Sequence, residues 1–180
     1  EANPDSLSAE KVAIMARNGV NRVSLGVQTF SPRLLALLRR HHTPENVREC
    51  LEMLARAGIA NVNVDFMYAL PGETPEEFER DLSAFSGLGV PHISTYSLIL
   101  ESGSILGVRG YQEASQDVQA DMYEAILDAL RKKGYRRYEV SNFALKGSES
   151  RHNRTYWKDE EYYGAGLGAP GYVGGGRYTN

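Results

Sequence analysis

The sequence has a single cysteine, no hydrophobic run long enough to cross a bilayer and no excess of basic residues. One cysteine in 180 residues excludes an internal disulfide framework, and a lone thiol cannot by itself hold an iron–sulfur cluster. No signal peptide is visible, and the apolar runs are too short for a transmembrane helix. A net charge of −3 gives no field of the kind that nucleic-acid-binding proteins carry. We therefore expect a cytoplasmic protein that has no transmembrane segment and binds no nucleic acid.

The bulk composition is that of a globular chain. Hydrophobic residues make up 42% and charged residues 24% of the sequence, and 180 residues suffice to bury a sizeable core. The sequence begins at Glu1 without a methionine and stops shortly after a run rich in glycine. We therefore expect it to be a piece of a longer protein.

Two segments alternate between apolar and polar residues with the period of a β-strand. In residues 22–28 the apolar positions are Val23, Leu25 and Val27. In residues 61–66 the polar positions, opposite an apolar face, are Asn61, Asn63 and Asp65. An ordinary βα barrel fills its centre with branched apolar side chains. A polar face repeated on two strands instead predicts a wet lumen that holds a polar ligand.

Helices are predicted between the strands. Three helix starts carry a capping hydroxyl before a proline, at Ser31-Pro32, Thr43-Pro44 and Thr74-Pro75. The predicted strands are Arg22–Gln28, Asn61–Phe66, His92–Leu98 and Arg136–Asn142, and the Tyr- and Gly-rich tail over 162–178 could add one more. This alternation predicts an α/β fold with a parallel sheet and helices outside it. The strands are too few to close a barrel, so we expect an arc of one.

Glu1, Gln28 and Asp65 fall at predicted carboxyl ends of strands, where α/β folds collect their chemistry. Together they present two carboxylates and an amide, which suit an amino group, a ribose hydroxyl or an adenine edge. Taken singly, each could equally be a polar plug at a strand end. Arg40 could bind a carboxylate bidentately or lie solvated beside Arg39. No two histidines have the spacing of a helical zinc site, so we expect no metal ligands in this chain.

The last third of the chain has a glycine-rich segment and a segment with a histidine among aromatic residues, and the role of each stays open. Gly166–Gly171 matches the pattern G-x-G-x-x-G, but Pro170 and the following glycines exclude the helix that a dinucleotide site needs. His152 could be functional or, as is commoner for one histidine, a buried residue bonded to backbone. The surrounding tyrosines and Trp157 could cover a flat hydrophobic ligand or close the open side of the barrel.

Eight short motifs, in a fixed order and spacing, carry a resemblance to a known family. They are Glu1–Pro4, Asn21–Phe30, Arg40–His42, Asp65–Gly72, His92–Leu98, Tyr138–Ala144, His152-Asn153 with Tyr156-Trp157, and Tyr163–Ala169. Over nearly its whole length the chain resembles the radical S-adenosylmethionine (SAM) proteins called oxygen-independent coproporphyrinogen III oxidase-like, particularly the HemW-type haem chaperones. So many ordered motifs make a chance match implausible.

The resemblance implies a partial (β/α)6 TIM-like barrel of radical SAM type, truncated at its N-terminus and followed by a C-terminal α+β extension. It also implies SAM bound beside a [4Fe–4S] cluster. Glu1, Gln28, Arg40 and Asp65 match family residues that contact SAM, and Ile99 matches more loosely a residue that contacts it through the backbone. The family's Cys-x3-Cys-x2-Cys cluster loop and its Gly-Gly-Thr segment are expected upstream of Glu1. The piece alone is therefore expected to be inactive.

Two positions depart from the family pattern. Pro170 stands where family members often have histidine, which argues against a ligand role for the terminal glycine loop. Ala69 replaces the usual glycine before Leu70-Pro71, a change that we expect the fold to tolerate.

The resemblance leaves three functions open. The first is a haem chaperone that uses cluster and SAM and passes haem to an acceptor protein; the His152 block favours this branch. The second is an oxygen-independent coproporphyrinogen III oxidase, which makes protoporphyrinogen IX from a porphyrinogen by oxidative decarboxylation in porphyrin biosynthesis. The third is a βα scaffold that has lost the cluster.

In each case we expect residues 1–110 to form the later strands of the radical SAM core and residues 111–180 to form the HemW-like extension.

Overall fold

The computed structural model describes residues 1–101 and 103–180. Its main sheet contains β1 (Arg22–Gln28), β2 (Asn61–Tyr68), β3 (His92–Ser97), β4 (Arg136–Arg137) and β5 (Asn142–Ala144), and a second sheet contains β6 (Pro170–Val173) and β7 (Gly176–Thr179). The helices are α1 (Ala9–Arg17), α2 (Pro32–Leu37), α3 (Pro44–Arg56), α4 (Pro75–Gly87), α5 (Ile105–Val108), α6 (Gln116–Lys132) and α7 (Arg151–Trp157). Within the described ranges, no helix is both long and apolar enough to cross a membrane.

The main sheet has the strand order β1-β2-β3-β5-β4, and its first three strands are parallel. Ala2 extends the parallel part beyond β1, since its N–H donates to Ser24 O at 2.8 Å and its carbonyl accepts from Gly26 N at 2.9 Å. Helices connect these parallel strands, as βαβ crossovers require. The predicted α/β fold with a parallel, open barrel-like sheet is confirmed.

The helix starts follow the capping signals in the sequence. Ser31, Thr43 and Thr74 each occupy an N-cap and accept a hydrogen bond from the backbone N–H three residues on, and each precedes a proline at the first helical position. Thr74 and Glu77 form a reciprocal capping box, and Thr43 forms a second one with Asn46. Local sequence therefore decides where α2, α3 and α4 begin.

The predicted strand Arg136–Asn142 is wrong. The chain reverses after β4, and Tyr138 N donates to Asn142 O across the turn at 3.2 Å. As a result β5 runs antiparallel to both β3 and β4. The tail forms two strands rather than one, because Gly174 and Gly175 have φ of 61° and 77°. Two consecutive positive φ values suit a tight two-residue hairpin turn, which glycine adopts without steric cost.

The core lies between the apolar face of the sheet and the helices. At its centre Phe85 of α4 stacks on Phe66 of β2, with ring centroids 4.4 Å apart, and packs against Phe30 at 4.8 Å. Helix α6 and strand β5 contribute to the same cluster. Cys50 is buried there too, as a small core residue. The domain boundary expected near residue 110 stays a prediction.

Replacing Phe85 with alanine should lower the free energy of unfolding by about 3–5 kcal/mol, because the ring is fully buried and its removal leaves a cavity between two other rings. Chemical denaturation measures the change. The exposed Tyr163 is the matched aromatic control, and Tyr163→Ala should shift stability by no more than about 0.5 kcal/mol. Equal effects of the two substitutions would contradict this assignment of the core.

Candidate functional site

The three parallel strands present a row of polar side chains on the face opposite the core. Their register pairs Ser24 with Asn63, and Asp65 with Ser94. Asn63 Nδ2 donates to Ser24 Oγ at 3.2 Å, which shows that side chains of neighbouring strands meet on this face. The polar face expected from the alternation is therefore present, and it crosses β1, β2 and β3.

A cavity of about 280 Å³ lies on this polar face, beside β1 and the first residues of the chain. Four of the five predicted ligand residues, Glu1, Gln28, Arg40 and Asp65, line it together. They come from the segment before α1, the end of β1, the loop after α2 and the middle of β2. The structure thus brings together residues up to 64 positions apart in sequence, at a site with acceptors, an amide and a guanidinium.

The backbone at Gln28 departs from strand geometry. Gln28 has φ of 68°, and Thr29 N donates to Val27 O at 2.9 Å, so Gln28 is the central residue of a three-residue γ-turn. The pairing with β2 shifts between Gly26 and Gln28 at the same point. A non-glycine residue at positive φ is strained, and such strain collects at ligand sites. Here it occurs at a residue that lines the cavity.

Gly26 leaves room for two polar groups in the cavity wall. A Cβ added to Gly26 would lie 2.9 Å from Gln28 Nε2 and 3.1 Å from Asn3 Oδ1. Asn3 Oδ1 also accepts a hydrogen bond from Arg40 Nη1 at 2.5 Å. The absent side chain lets the amides of Gln28 and Asn3 approach β1, and Asn3 in turn holds Arg40. These donors, with the carboxylates of the same cavity, fit a ligand that carries both an amino-acid group and hydroxyls.

The carboxylate of Asp65 is partly buried in the sheet, and its surroundings shift its pKa. Burial raises its pKa, the hydrogen bond that Asn63 Nδ2 donates to Oδ1 at 2.8 Å lowers it, and the nearby charge of Glu1 raises it. A carboxylate that has lost part of its water interacts more strongly with a donor or a cation than an exposed one does. Asp65 can therefore accept strong hydrogen bonds from a ligand.

A hydrogen-bonded chain runs from Asp65 through the sheet. Asn63 Oδ1 accepts from His92 Nδ1 at 2.7 Å, and Ser94 Oγ lies 3.0 Å from it and 2.6 Å from Asn142 Oδ1. His92 Nε2 lies 2.7 Å from Tyr138 Oη. His92 is fully buried, and burial, followed by the charge of Arg22, lowers its pKa to about 3. The imidazole is therefore neutral at ordinary pH.

Tyr138 connects this chain to helix α7. Its Oη accepts from the backbone N–H of Ser150, the N-cap of α7, and from Asn153 Nδ2, both at 3.3 Å. A second cavity, of about 320 Å³, lies between the polar face and α7, and Asp65 and His152 both line it. The start of α7 is thus held by the polar face.

His152 is an exposed residue of α7. Its Nε2 lies 2.6 Å from Tyr156 Oη, and its ring makes edge-to-face contacts with Tyr156 and Tyr162, with centroids 4.6 and 5.6 Å away. The interpretation of His152 as a buried residue bonded to backbone is therefore wrong. It belongs to an aromatic cluster that faces the second cavity.

Ile99 is the predicted ligand residue that the structure does not place with the others. Its side chain is 76% exposed and lines a separate groove of about 350 Å³, with Tyr68, Tyr96 and Tyr123. Tyr96 also lines the cavity between sheet and α7, so the groove adjoins it. Ile99, which matches the family only loosely, thus lies outside the cavity that the other four predicted ligand residues line.

Sequence reasoning missed the residues that support Asp65. Asn63 was recognised only as one of several polar residues on β2, and His92 only as the start of a strand. Tyr138 was one of many tyrosines. One signal was available: Asn63 lies two residues before Asp65, so both side chains point to the same face of β2. The partners of Asn63 on the neighbouring strands depend on the strand register, which the sequence does not show.

The chain does not supply a site for an iron–sulfur cluster. Its one cysteine, Cys50, is buried in the core with Sγ 3.5 Å from Pro4 O. Across residues 1–101 and 103–180, no group of three or more His, Cys, Asp or Glu side chains could hold a metal ion. Any cluster that accompanies the cavity must take its ligands from other residues.

Solved structures define the class of fold. The chain superimposes on coproporphyrinogen III oxidase (HemN) from Escherichia coli, a radical SAM enzyme, with a TM-score of 0.78, 20% identity, and coverage of 94% of this chain and 42% of that one. The archaeal Elp3 of Methanocaldococcus infernus gives a TM-score of 0.61 at 21% identity, covering 69% of this chain and 30% of that one. At such identities the likeness concerns the fold, which is the partial barrel of radical SAM proteins.

Sequence comparisons relate the chain to a family of known proteins. The model of the radical SAM superfamily matches residues 1–85. The heme chaperone HemW of Lactococcus lactis is 50% identical and that of Bacillus subtilis 42%, each over 100% of this chain and 48% of the relative. The Escherichia coli HemW is 36% identical over 96% of this chain and 46% of its own length. The chain thus matches the radical SAM superfamily over residues 1–85 and is similar over its whole length to HemW-type proteins; it spans about half the length of the curated relatives that it matches.

The neutral state of His92 predicts a pH dependence of stability. The unfolded chain takes up a proton near pH 6.5, whereas the folded chain does so only near pH 3. Stability should therefore fall as the pH drops through this window, by about 1.4 kcal/mol per pH unit. Glu73, whose pKa burial raises to about 7, contributes with the opposite sign. Denaturant titrations at pH 7 and pH 5 give the change in the free energy of unfolding between the two pH values. Comparing this change in wild type and in His92→Asn isolates the contribution of His92, because Glu73 contributes to both proteins. The same pH dependence in both proteins would contradict the assignment.

Proposed function

We propose that the full-length protein is a haem chaperone of radical SAM type, which holds haem and passes it to an acceptor protein. The observation that carries this proposal is the similarity of the entire chain, at up to 50% identity, to proteins named heme chaperone. The cavity supports the radical SAM part, since its donors and acceptors match the polar groups of a nucleoside-bearing amino acid. The cytoplasmic location and the acceptor protein stay predictions.

We further propose that the first cavity binds SAM. In this reading Arg40, held by Asn3, binds the carboxylate of the ligand, and Asp65 and Glu1 accept hydrogen bonds from its amino and hydroxyl groups. The amide of Gln28 adds a donor and an acceptor at the strained end of β1. SAM bound beside a [4Fe–4S] cluster supplies one-electron chemistry, which no side chain of this cavity can perform. The residues of the chain bind and orient, and the reaction depends on the rest of the protein.

Haem requires apolar contacts, and exposed aromatic side chains lie in and just after α7, the helix that borders the second cavity. Several aromatic side chains of α7 and the segment after it are exposed, namely Tyr156, Trp157 and Tyr163. Trp157 is oriented by a hydrogen bond from Nε1 to Glu139 Oε2 at 3.0 Å. Exposed aromatic residues held in place suit a flat, hydrophobic ligand. We propose that haem contacts this surface.

The alternative is an oxygen-independent coproporphyrinogen III oxidase. Its support is the common fold with HemN, but that likeness comes with only 20% identity. The HemW relatives are more similar in sequence and align with the whole chain, including α7. The chaperone is therefore the better-supported function.

Binding and turnover measurements on the full-length protein, purified and reconstituted under anaerobic conditions, distinguish the two functions. A chaperone should bind haem, seen as new absorbance in the Soret region, and leave coproporphyrinogen III unchanged in the presence of SAM and a reductant. An oxidase should release protoporphyrinogen IX. Turnover of the porphyrinogen by a protein that ignores haem would refute the chaperone proposal.

Replacing Asp65 with alanine should weaken SAM binding by about 10- to 100-fold, because a partly buried carboxylate that accepts hydrogen bonds from a ligand contributes about 1.5–3 kcal/mol. Isothermal titration calorimetry of the reconstituted full-length protein measures the change. Asp121, exposed on α6, is the control, and Asp121→Ala should leave the affinity unaltered. If Asp65→Ala binds SAM like wild type, Asp65 does not belong to the site.

A further inference from the structure

We propose that His92 is a positioning residue that orients the carboxylate of Asp65 toward SAM, acting through the amide of Asn63. The inference rests on the proposed binding of SAM to this cavity and goes beyond it, because His92 lines neither cavity. His92 and Asn63 are both buried, in strands next to each other. Their effect on a ligand would be transmitted entirely by hydrogen bonds.

The amide of Asn63 has one favourable orientation. Nδ2 donates to Asp65 Oδ1 at 2.8 Å and to Ser24 Oγ at 3.2 Å, while Oδ1 accepts from His92 Nδ1 at 2.7 Å. If the amide flipped, its oxygen would face the carboxylate of Asp65 and its nitrogen would face the N–H of His92. Both contacts would be repulsive. The proton at Nδ1 of His92 therefore strengthens the preference for the orientation in which Asn63 donates to Asp65.

Tyr138 determines which nitrogen of His92 carries that proton. Tyr138 Oη accepts from the backbone N–H of Ser150 and from Asn153 Nδ2. With its lone pairs used in this way, the hydroxyl donates its own proton to Nε2 of His92. His92 must then hold its proton on Nδ1, where it points at Asn63. Second-sphere partners fix the tautomer of metal-binding histidines by the same logic.

All donors in this chain point in one direction. The chain begins at a backbone N–H at the start of α7, passes through Tyr138, His92 and Asn63, and ends at Asp65. Consecutive hydrogen bonds of one direction polarise and strengthen one another. The last bond places a donor on Oδ1 of Asp65, so the remaining lone pairs of the carboxylate are directed at the ligand. Loss of His92 should therefore affect ligand binding and not only stability.

The test compares two substitutions of His92 in the reconstituted full-length protein. His92→Leu removes both ring nitrogens at similar volume, whereas in His92→Asn the amide nitrogen can occupy the position of Nδ1 and donate to Asn63. We expect His92→Leu to weaken SAM binding about 10-fold in calorimetry and His92→Asn to remain within about 3-fold of wild type. Thermal unfolding should show a lower Tm for both.

Tyr135→Phe is the matched control for lost stability. Tyr135 is buried and its Oη donates to Val90 O at 2.5 Å, but it lines neither cavity and lies outside the hydrogen-bonded chain. The substitution should lower the Tm and leave SAM affinity at the wild-type value. Rescue of affinity by His92→Asn, at a Tm as low as that of His92→Leu, is a result that a purely structural histidine would not give.

Two results would overturn the inference: wild-type SAM affinity in His92→Leu, or an equal loss in His92→Leu and His92→Asn. If His92→Leu does not fold, Tyr138→Phe decides, since weaker SAM binding supports the inference and unchanged binding overturns it. Failure of the proposed function looks different. In that case wild type does not bind SAM, or Asp65→Ala binds it as well as wild type does.

Discussion

The parallel pairing of β1, β2 and β3 in one specific register is the constraint on which the rest of the structure depends. Because side chains alternate along a strand, a slip of one residue between β2 and its neighbours would exchange Asp65 with the core residue Val64. The aromatic stack of Phe66 and Phe85 makes such a slip costly. The apolar face thereby holds the polar face in place, and the polar face carries the candidate site.

A polar face inside a barrel is stable only if its groups satisfy one another. Asn63 does most of this, since its amide bonds to β1, to β3 and to its own strand. His92 remains neutral and so avoids burying a charge. Asn63 occupies only the Oδ1 atom of the Asp65 carboxylate, which also lines both cavities. The strained backbone of Gln28 lies at the end of β1. The sheet tolerates this strain because its other face is well packed.

In the proposed function, the residues of the first cavity bind and orient a nucleoside-bearing amino acid. The electron chemistry would then belong to an iron–sulfur cluster, for which residues 1–101 and 103–180 offer no ligand set. Helix α7, which the HemW relatives share in their alignment, is tied to the same polar face through Tyr138. The first turn of α7 and the polar face of the sheet are therefore connected by hydrogen bonds.

Short-range pattern in the sequence determined the strands β1, β2 and β3, the capped starts of α2, α3 and α4, and the polar face with Asp65. These features depend on residues a few positions apart, so period and capping chemistry encode them directly. The reversal at Tyr138, the antiparallel β5 and the bonds between Asn63 and His92 were decided by tertiary structure. They join residues 29 or more positions apart or depend on which strand lies beside which. Register between distant strands is settled only when the whole core packs, and no local pattern records it.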